Sequence, residues 1–382
     1  MMKSRIKTAL AILICLCILI FSHPVYALGP VNASGAVLME ANSNRVLYSK
    51  NPHKRLPMAS TTKIMTAIIA IENSNPEETV TVGANAVGVE GSSIYLQAGE
   101  KLKLGDLLYG LMLASGNDAA VAIAEHVGGS VERFVEMMNK KAQELGLKNT
   151  HFTNPSGLHN PNHYTSAYDL AKLACYGMKN EMFREITSTK VKRIPWQGRD
   201  YPRFLRNKNR ILNEYAGGNG IKTGFTKAAG RCLVASAQRN GMQLVCAVIN
   251  APDMFADCMA MMDWGFENYK LRELVKAGEV KATVGVVGNK RVKSVDLVTA
   301  QDFKYIMSED EANRVEYRVN IPAQRLYAPV SLGQDAGVLE IYADGDLIGK
   351  VKLKAKNMVK ADDLMYNLRE FFKWLFMKGK RQ

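Results

Sequence analysis

The sequence contains little cysteine, no C-x-x-C pair and no internal repeat, and each shortage excludes a class of protein. Six cysteines in 382 residues are too few for a disulfide scaffold, and their spacing indicates neither a metal site nor a redox motif. Proline and glycine counts are ordinary and 23% of the residues are charged, which excludes a collagen-like, low-complexity or disordered chain. At about 150 residues per domain, the length predicts two or three domains.

The charge balance is strongly basic. Fifty Lys and Arg residues against 36 Asp and Glu residues give a formal net charge of +14. Such an excess is typical of proteins that bind nucleic acid, but the chain carries no nucleic-acid-binding motif. We therefore predict no nucleic-acid partner and look for another anionic surface.

The first 27 residues have the pattern of a secretory signal. A basic stretch precedes a 13-residue apolar run, Ala9–Phe21, and small residues follow at Val25-Tyr26-Ala27. The alternative is an uncleaved anchor, for which the run is short. We predict a signal peptide over 1–27, cleavage after Ala27 and secretion across the cytoplasmic membrane. Cleavage lowers the net charge from +14 to +11.

Four cysteines remain after this cleavage: Cys175, Cys232, Cys246 and Cys258. Cys246 lies in the apolar run Leu244–Ile249, which predicts a buried free thiol. A disulfide among the four stays open, because the predicted compartment is outside the cytoplasm.

The last 23 residues, 360–382, have the periodicity of an amphipathic helix. Seven apolar side chains recur along one 3.6-residue stripe: Leu364, Met365, Leu368, Phe371, Phe372, Leu375 and Phe376. Lys378, Lys380 and Arg381 follow, and they suit anionic headgroups. Half-burying these seven side chains in a membrane surface contributes on the order of 5–10 kcal/mol to the gross free energy of binding. We predict a helix that anchors the protein peripherally on the outer face of the membrane; the alternative is a helix packed on its own core.

Between the ends, the patterns change near residue 279. Residues 28–275 predict one α/β domain. Its two strand pairs are Gly35–Glu40 with Arg45–Tyr48 and Arg231–Arg239 with Met242–Ile249. Its three helices are Ser60–Ile71, Asp118–Val127 and Val131–Leu145. Residues 279–355 predict a small β-sandwich-like domain, a spacer or docking module, with five strands: Val280–Val287, Val292–Thr299, Tyr317–Ile321, Gly337–Ala343 and Leu347–Leu353.

Three short motifs in the first domain carry the chemistry. They are Ser60-Thr61-Thr62-Lys63, Ser115-Gly116-Asn117 and Lys222-Thr223-Gly224. On a helix, residues i and i+3 share a face, so an unprotonated Lys63 can reach and activate the Ser60 hydroxyl. The first two motifs also occur elsewhere by chance, as Ser4-Arg5-Ile6-Lys7 and Ser49-Lys50-Asn51. The specificity lies in their order and in spacings of 55 and 107 residues.

Together the motifs match the signature of serine penicillin-recognising enzymes. The whole chain resembles the low-molecular-weight penicillin-binding proteins, which are D-alanyl-D-alanine carboxypeptidases of the peptidase S11 family. Six stretches carry the resemblance: Pro57–Lys63, Gly91–Ser93, Ser115–Ala119, Thr153–Leu158, Asn207–Asn209 and Gly220–Gly224. It implies an α/β (α+β) catalytic domain of the serine β-lactamase/transpeptidase-like fold, followed by a small C-terminal all-β domain and a terminal amphipathic helix.

The resemblance also implies a role for each motif residue. Ser60 is the acylated nucleophile, Lys63 its general base, and Ser115 the relay that delivers the proton to the leaving D-alanine. Asn117 binds the acyl amide, and Lys222 and Thr223 bind the terminal carboxylate. The oxyanion hole is formed by backbone N–H groups of Ser60 and of Phe225, which follows Gly224; some relatives have His in place of Phe225. The implied partners are peptidoglycan stem peptides and β-lactam antibiotics, and no cofactor or metal is implied.

Physical chemistry is consistent with two of these roles. A cation and a hydroxyl on an accessible strand suit a carboxylate. Two ammonium groups that converge on one cleft lower the Lys63 pKa, which favours its role as a base.

Four alternatives deserve comparison. A class A β-lactamase is expected to carry E-x-x-x-N between the second and third motifs and Asp in place of Gly116, and the sequence has neither. A non-catalytic wall-binding protein predicts a broken motif set, and all three motifs are intact. His159 and His163 have the spacing of zinc ligands, but no H-E-x-x-H is present. An endopeptidase that cuts D-alanyl cross-links is poorly separated from a carboxypeptidase by sequence.

Overall fold

The computed structural model describes residues 28–362, in two compact units that divide between Asn268 and Tyr269. The predicted signal peptide and all but the first residues of the predicted terminal helix therefore lie outside the described residues. The division falls earlier than the boundary predicted near 275, because Lys270–Val275 is a strand that pairs with Phe303–Met307 of the second unit. Within 28–362, no helix combines the length and the apolarity needed to cross a bilayer.

A five-stranded antiparallel sheet forms the centre of the first unit. Its strands are β1 (Gly35–Glu40), β2 (Val46–Lys50), β7 (Gly218–Thr226), β8 (Gly230–Arg239) and β9 (Met242–Ile249), in the order β2-β1-β9-β8-β7. The predicted hairpin β8–β9 turns at Asn240 and Gly241, whose φ angles of 50° and 79° match the twist of the flanking strands. Two two-stranded sheets accompany it: β3 (Thr79–Thr81) with β4 (Lys101–Lys103), and β5 (Val191–Ile194) with β6 (Arg203–Arg206).

The helices of the first unit surround this sheet. They are α1 (Lys63–Asn73), α2 (Leu104–Leu113), α3 (Asn117–Gly128), α4 (Val131–Glu144), α5 (Ala167–Gly177), α6 (Glu181–Ser188), α7 (Ile211–Glu214) and α8 (Met254–Asn268). Helices α5 and α8 pack on the sheet, whereas α1 contacts mainly other helices. The first eight residues of α1 are all buried, as expected for a helix at the centre of a core.

The second unit is built from strands and one short helix. Its strands are β10 (Lys270–Val275), β11 (Val280–Val287), β12 (Ser294–Thr299), β13 (Phe303–Met307), β14 (Val315–Asn320), β15 (Arg325–Tyr327), β16 (Asp335–Ala343) and β17 (Asp346–Ala355). The helix α9 (Glu309–Ala312) begins with a capping box between Ser308 and Glu311. A six-stranded sheet has the order β14-β16-β17-β12-β11-β15, and β10 pairs separately with β13. Alternating residues such as Leu339, Ile341 and Val351 form its core.

The predicted fold class is confirmed for both units, and the terminal helix stays a prediction. The predicted helix 60–71 differs in detail. It begins as a 3-10 turn, Ala59–Thr62, and becomes α-helical only at Lys63, because Ala59 has a left-handed φ of 48°. The prediction missed the short strands β3 to β6, the strands β10, β13 and β15, and the helices α2 and α5 to α9.

All four cysteines of the first unit are buried and unpaired. The prediction of a buried free thiol at Cys246 is confirmed. Its Sγ lies 3.2 Å from the Sγ of Cys258, close enough for a thiol hydrogen bond. Burial raises the pKa of the Cys258 thiol well above its usual range, so Cys258 does not behave as a reactive thiolate.

Candidate active site

Ser60 lies on a sharp turn that is held from both sides. Ala59 adopts a left-handed φ of 48°, and Thr61 and Thr62 donate hydrogen bonds back to the carbonyls of Met58 and Ala59, at 2.6 and 2.8 Å. Gly157 packs against this turn so closely that a Cβ there would lie 2.0 Å from the Ala59 oxygen. The turn leaves Ser60 partly exposed while its neighbours are buried.

Lys63 is completely buried, and its Nζ contacts three oxygen atoms. It lies 3.1 Å from Ser60 Oγ, 2.6 Å from Asn117 Oδ1 and 2.6 Å from the Ser156 carbonyl oxygen. The amide and carbonyl oxygens can only accept, so they take two N–H groups. A neutral amine has two N–H groups and one lone pair. The lone pair then faces the Ser60 hydroxyl, which is the arrangement that a general base requires.

The surroundings favour this neutral form. Burial is the largest cause that lowers the pKa of Lys63 well below its usual range, followed by the positive charge of Lys222; Lys208 adds a smaller lowering. Asp118 acts in the opposite direction. Desolvation and like charge therefore combine to favour the unprotonated amine, which can accept a proton.

Asn117 is oriented by contacts on its other side. Its Nδ2 donates to the Glu90 carbonyl at 2.5 Å, and its backbone N–H donates to the Ser92 carbonyl at 2.7 Å. Because the amide nitrogen faces Glu90, the amide oxygen must face Lys63. Gly91 permits the approach, since a Cβ there would lie 2.7 Å from Asn117 Nδ2.

Asp118 fixes the adjacent loop to the N-terminus of α3. Its buried carboxylate accepts hydrogen bonds from Ser93 Oγ at 2.6 Å and from the backbone N–H groups of Ile94 and Leu96 at 3.0 and 3.1 Å. A carboxylate in the first turn of a helix is also favoured by the helix dipole. Asp118 therefore positions the segment that holds Asn117.

Ser115 lies in the loop between α2 and α3. It is 6% exposed and has a left-handed φ of 63°. Among residues 28–362, no partner forms a hydrogen bond with its side chain, so the hydroxyl remains available. A non-glycine residue held at positive φ is uncommon, and such strained positions concentrate at functional sites.

Strand β7 brings the third motif to the nucleophile. A Cβ on Gly224 would lie 3.1 Å from the Ser60 backbone nitrogen, so the strand runs directly beside that N–H group. Lys222 is buried, which together with Lys208 lowers its pKa to about 7, and its Nζ donates to the Thr223 carbonyl at 3.1 Å. Thr223 is partly exposed, and Phe225 projects outward with 65% of its surface exposed.

Known proteins share this arrangement of sequence and fold. Residues 23–253 match the peptidase S11 family, described as D-alanyl-D-alanine carboxypeptidase, and residues 269–361 match the C-terminal domain of penicillin-binding protein 5. The chain belongs to the D-alanyl-D-alanine carboxypeptidase family, peptidase S11. A serine-type D-Ala-D-Ala carboxypeptidase activity in the cell wall follows from that membership.

The similarity extends over nearly the whole chain. D-alanyl-D-alanine carboxypeptidase DacF of Bacillus subtilis is 36% identical over 356 residues, which cover 91% of each chain. Penicillin binding protein 5 from Haemophilus influenzae has 32% identity and a TM-score of 0.72, covering 87% of this chain and 98% of its own. Penicillin binding protein 6B from Escherichia coli has 27% identity and a TM-score of 0.66, with coverages of 86% and 97%.

Membership of the S11 family gives no support to the zinc alternative. His163 instead forms hydrogen bonds within the fold. Thr153 N–H donates to its Nδ1 at 3.0 Å, and its Nε2 lies 2.7 Å from Thr62 Oγ1. Both ring nitrogens are therefore occupied, and burial lowers the His163 pKa to about 4. His159 is exposed. In the part of the chain that the structure describes, no three His, Cys, Asp or Glu side chains form a metal-binding cluster.

The structure thus brings Ser60, Lys63 and Asn117 into direct contact and places β7 beside Ser60. Sequence reasoning missed the Ser156 carbonyl as a partner of Lys63, although it lies in the matching stretch Thr153–Leu158. It also missed two cations: Lys208, which influences both buried lysines, and Arg231, which pairs with Phe225 across β7 and β8. Lys208 lies inside Asn207–Asn209, one of the six stretches that carry the resemblance. The position of Arg231 beside Phe225 becomes evident only from the strand register.

Proposed function

We propose that the protein removes the terminal D-alanine from peptidoglycan pentapeptides through an acyl-enzyme on Ser60. The observation that carries this proposal is the contact of 3.1 Å between Lys63 Nζ and Ser60 Oγ, in which the other two acceptors of Lys63 leave its lone pair for the serine. The same geometry explains a reaction with β-lactams, whose strained amide is attacked in place of the peptide.

Acylation proceeds as a nucleophilic substitution at the carbonyl carbon of the penultimate D-alanine. The Ser60 hydroxyl gives its proton to Lys63 Nζ, and Oγ forms a bond to the carbonyl carbon. The oxyanion accepts hydrogen bonds from the backbone N–H groups of Ser60 and Phe225; one such donor is worth roughly 10²–10³ in rate. The C–N bond then breaks, and the leaving amine takes the proton from Lys63 through the Ser115 hydroxyl.

Substrate binding uses the charges and amides around this centre. Protonated Lys222 and the Thr223 hydroxyl bind the terminal carboxylate, and Arg231 adds a second cation beside the same strand. Asn117 donates one N–H to Glu90, and its second N–H is left for the acyl amide carbonyl. The exposed ring of Phe225 borders this region and is available to contact the substrate.

Deacylation reverses the roles with water as the nucleophile. Lys63, neutral again after D-alanine departs, takes a proton from the water, whose oxygen attacks the ester carbon. The ester bond to Ser60 breaks, Ser60 regains a proton, and the peptide leaves with a new carboxylate. One water is consumed for each D-alanine released.

The test uses labelled penicillin and a D-alanine release assay with wild type and Ser60→Ala. We expect stable labelling and D-alanine release only for the wild type. Ser49→Ala, at an exposed serine in the chance match to the second motif, serves as the control and should leave labelling intact. Equal labelling of wild type and Ser60→Ala would refute the assignment. Comparing a pentapeptide with a cross-linked dimer separates carboxypeptidase from endopeptidase activity.

The location of the enzyme is part of the same proposal. The signal pattern over 1–27 and the amphipathic pattern over 360–382 support export across the cytoplasmic membrane and peripheral attachment to its outer face. Export predicts a mature N-terminus at Leu28, which N-terminal sequencing tests. A chain that ends at Asp362 keeps every described residue, and it should bind membranes much more weakly than the full chain. A shortened chain that binds lipid as tightly as the full chain would contradict the role of the tail.

A further inference from the structure

One end of the second unit carries an excess of positive charge. Three segments meet there: 285–293, 325–334 and 355–362. Together they contain six basic residues and one acidic residue, Asp362. We call this end the basic tip, defined by Lys290, Arg291, Lys293, Arg325, Lys356 and Lys360.

Backbone contacts hold the three segments together. Asp362 N–H donates to the Gly288 carbonyl at 2.9 Å, and Lys290 N–H donates to the Asp362 carboxylate at 3.0 Å. Asn289 Nδ2 donates to the Lys360 carbonyl at 2.7 Å, and Val330 and Val359 form a two-bond bridge. The basic tip is therefore one ordered surface, and the chain leaves it at Asp362.

Most of the positive charges of the tip have no carboxylate partner among residues 28–362. Among the described residues, no carboxylate forms an ion pair with Arg291, Lys293, Arg325, Lys356 or Lys360. Elsewhere in the same unit, exposed cations are paired, as Lys350 is with Glu340 and Lys352 with Asp335. A cleft of about 590 Å³ is lined by three cations, Lys290, Lys293 and Arg325, and by one carboxylate, Asp362. Its size and charge suit a phosphate-bearing group.

Large apolar side chains project from the same segments. Tyr327, Leu332 and Met358 are 75%, 71% and 60% exposed. Single exposed apolar residues are common on protein surfaces. Three of them among cations on adjoining loops form the combination that suits the boundary between headgroups and acyl chains, where aromatic and aliphatic side chains insert beside lysine and arginine.

We propose that the basic tip binds anionic lipid headgroups and forms a second membrane contact beside the terminal segment. The inference rests on the proposed membrane attachment, because residues 363–382 continue directly from Asp362. An anionic wall polymer would use the charges but not the three exposed apolar side chains, so the observations favour lipid.

The test compares two triple variants of the full mature chain on vesicles of phosphatidylglycerol and phosphatidylcholine. The tip variant is Arg291→Gln, Lys293→Gln, Arg325→Gln. The control variant is Lys140→Gln, Lys148→Gln, Lys179→Gln, which removes equal charge from exposed positions of the first unit. A basic residue near an anionic surface contributes about five-fold in affinity. We expect the tip variant to bind roughly 10–100-fold more weakly and the control to bind like the wild type.

Each outcome has a defined meaning. A wild type that does not bind vesicles overturns the proposed attachment, and this inference with it. Wild-type binding with equal affinities for the two variants overturns the role of the tip alone. If the tip variant loses binding to purified cell walls but still binds vesicles like the wild type, the tip binds a wall polymer, and the proposal of a lipid contact is overturned. Unchanged penicillin labelling verifies that the first unit of the tip variant is folded, and an unchanged circular dichroism spectrum and urea unfolding curve verify that the second unit is folded.

A second measurement does not depend on removing charge. Tyr327→Trp, made together with Trp374→Phe in the terminal segment, places a fluorophore on the tip, and brominated lipid in anionic vesicles should quench it. Tyr201→Trp, at an exposed position of the first unit and also made together with Trp374→Phe, is the matched control. Equal quenching of the two variants would contradict insertion of the tip.

Discussion

The two units of this enzyme differ in where their charged side chains lie. The first unit buries Lys63, Lys222 and Asp118, and it encloses the Glu100–Arg203 ion pair, whose side chains are 1% and 3% exposed. Among residues 269–362, no charged side chain is buried. Buried charges require complete sets of partners, and they shift the pKa values on which catalysis depends. The first unit therefore holds charge for chemistry, whereas the second presents charge to its surroundings.

The largest expected difference between the units concerns lysine. Lys63→Met removes the general base, and we expect acylation by labelled penicillin to slow by about 10³-fold or more. Lys352→Met removes an exposed lysine of the second unit and should leave the rate unchanged. A Lys63→Met enzyme that acylates at the wild-type rate would show that the buried amine is not the base.

A second difference concerns ion pairs. Arg203 donates to both Glu100 oxygens at 2.6 and 2.7 Å and also to the carbonyls of Ile94 and Tyr95, so it fixes the loop beside Asp118. Arg203→Met leaves the Glu100 charge buried and should lower the free energy of unfolding by about 3–5 kcal/mol. Urea denaturation measures this loss. A change below about 1 kcal/mol would mean that water or another group compensates Glu100.

The pH dependence of catalysis tests the buried lysines more finely. Substrate binding needs protonated Lys222, whose pKa is about 7, while Lys63 must be neutral. In the free enzyme, deprotonation of Lys222 should therefore lower kcat/KM about tenfold for each pH unit above neutrality. This decrease is the alkaline limb of the pH profile. Lys222→Arg cannot lose its charge in this range, so its limb should move to higher pH. An unmoved limb would assign the titration to another group.

The smallest effect is expected for the paired charges of the second unit. Lys350 lies 2.6 Å from Glu340, but more than half of its side chain is exposed. Lys350→Met should leave the free energy of unfolding, measured by urea denaturation, nearly unchanged, because exposed ion pairs are screened by solvent. A loss as large as that of Arg203→Met would remove the contrast between the units.

Much of this architecture follows from local sequence patterns. The β8–β9 hairpin is specified by Asn240-Gly241, and the helices α3 and α4 by their apolar periodicity and terminal glycines. Strands β10 and β13 were missed because they do not alternate cleanly between buried and exposed residues. Strand β15 has only three residues, too few for a pattern.

The candidate site was predictable where motifs are contiguous. Ser60 and Lys63 share a turn, and the order of the three motifs predicts their assembly. The Ser156 carbonyl, 93 residues from Lys63, was not predictable, because a backbone oxygen has no sequence signature. Its position depends on Asn154 Oδ1, which accepts hydrogen bonds from the N–H groups of Ser156 and Gly157. The Glu100–Arg203 pair spans 103 residues and was likewise invisible.

The two buried lysines also affect how the free energy of unfolding depends on pH. In the unfolded chain both amines have pKa values near 10.5, whereas folding lowers the pKa of Lys63 well below that value and that of Lys222 to about 7. The unfolded state therefore binds more protons, and folding releases protons to the solvent near neutral pH. By linkage, the contribution of these amines to the free energy of unfolding rises with pH up to about 10.5. The enzyme should resist denaturation better in mildly alkaline solution, where its affinity for substrate is already falling.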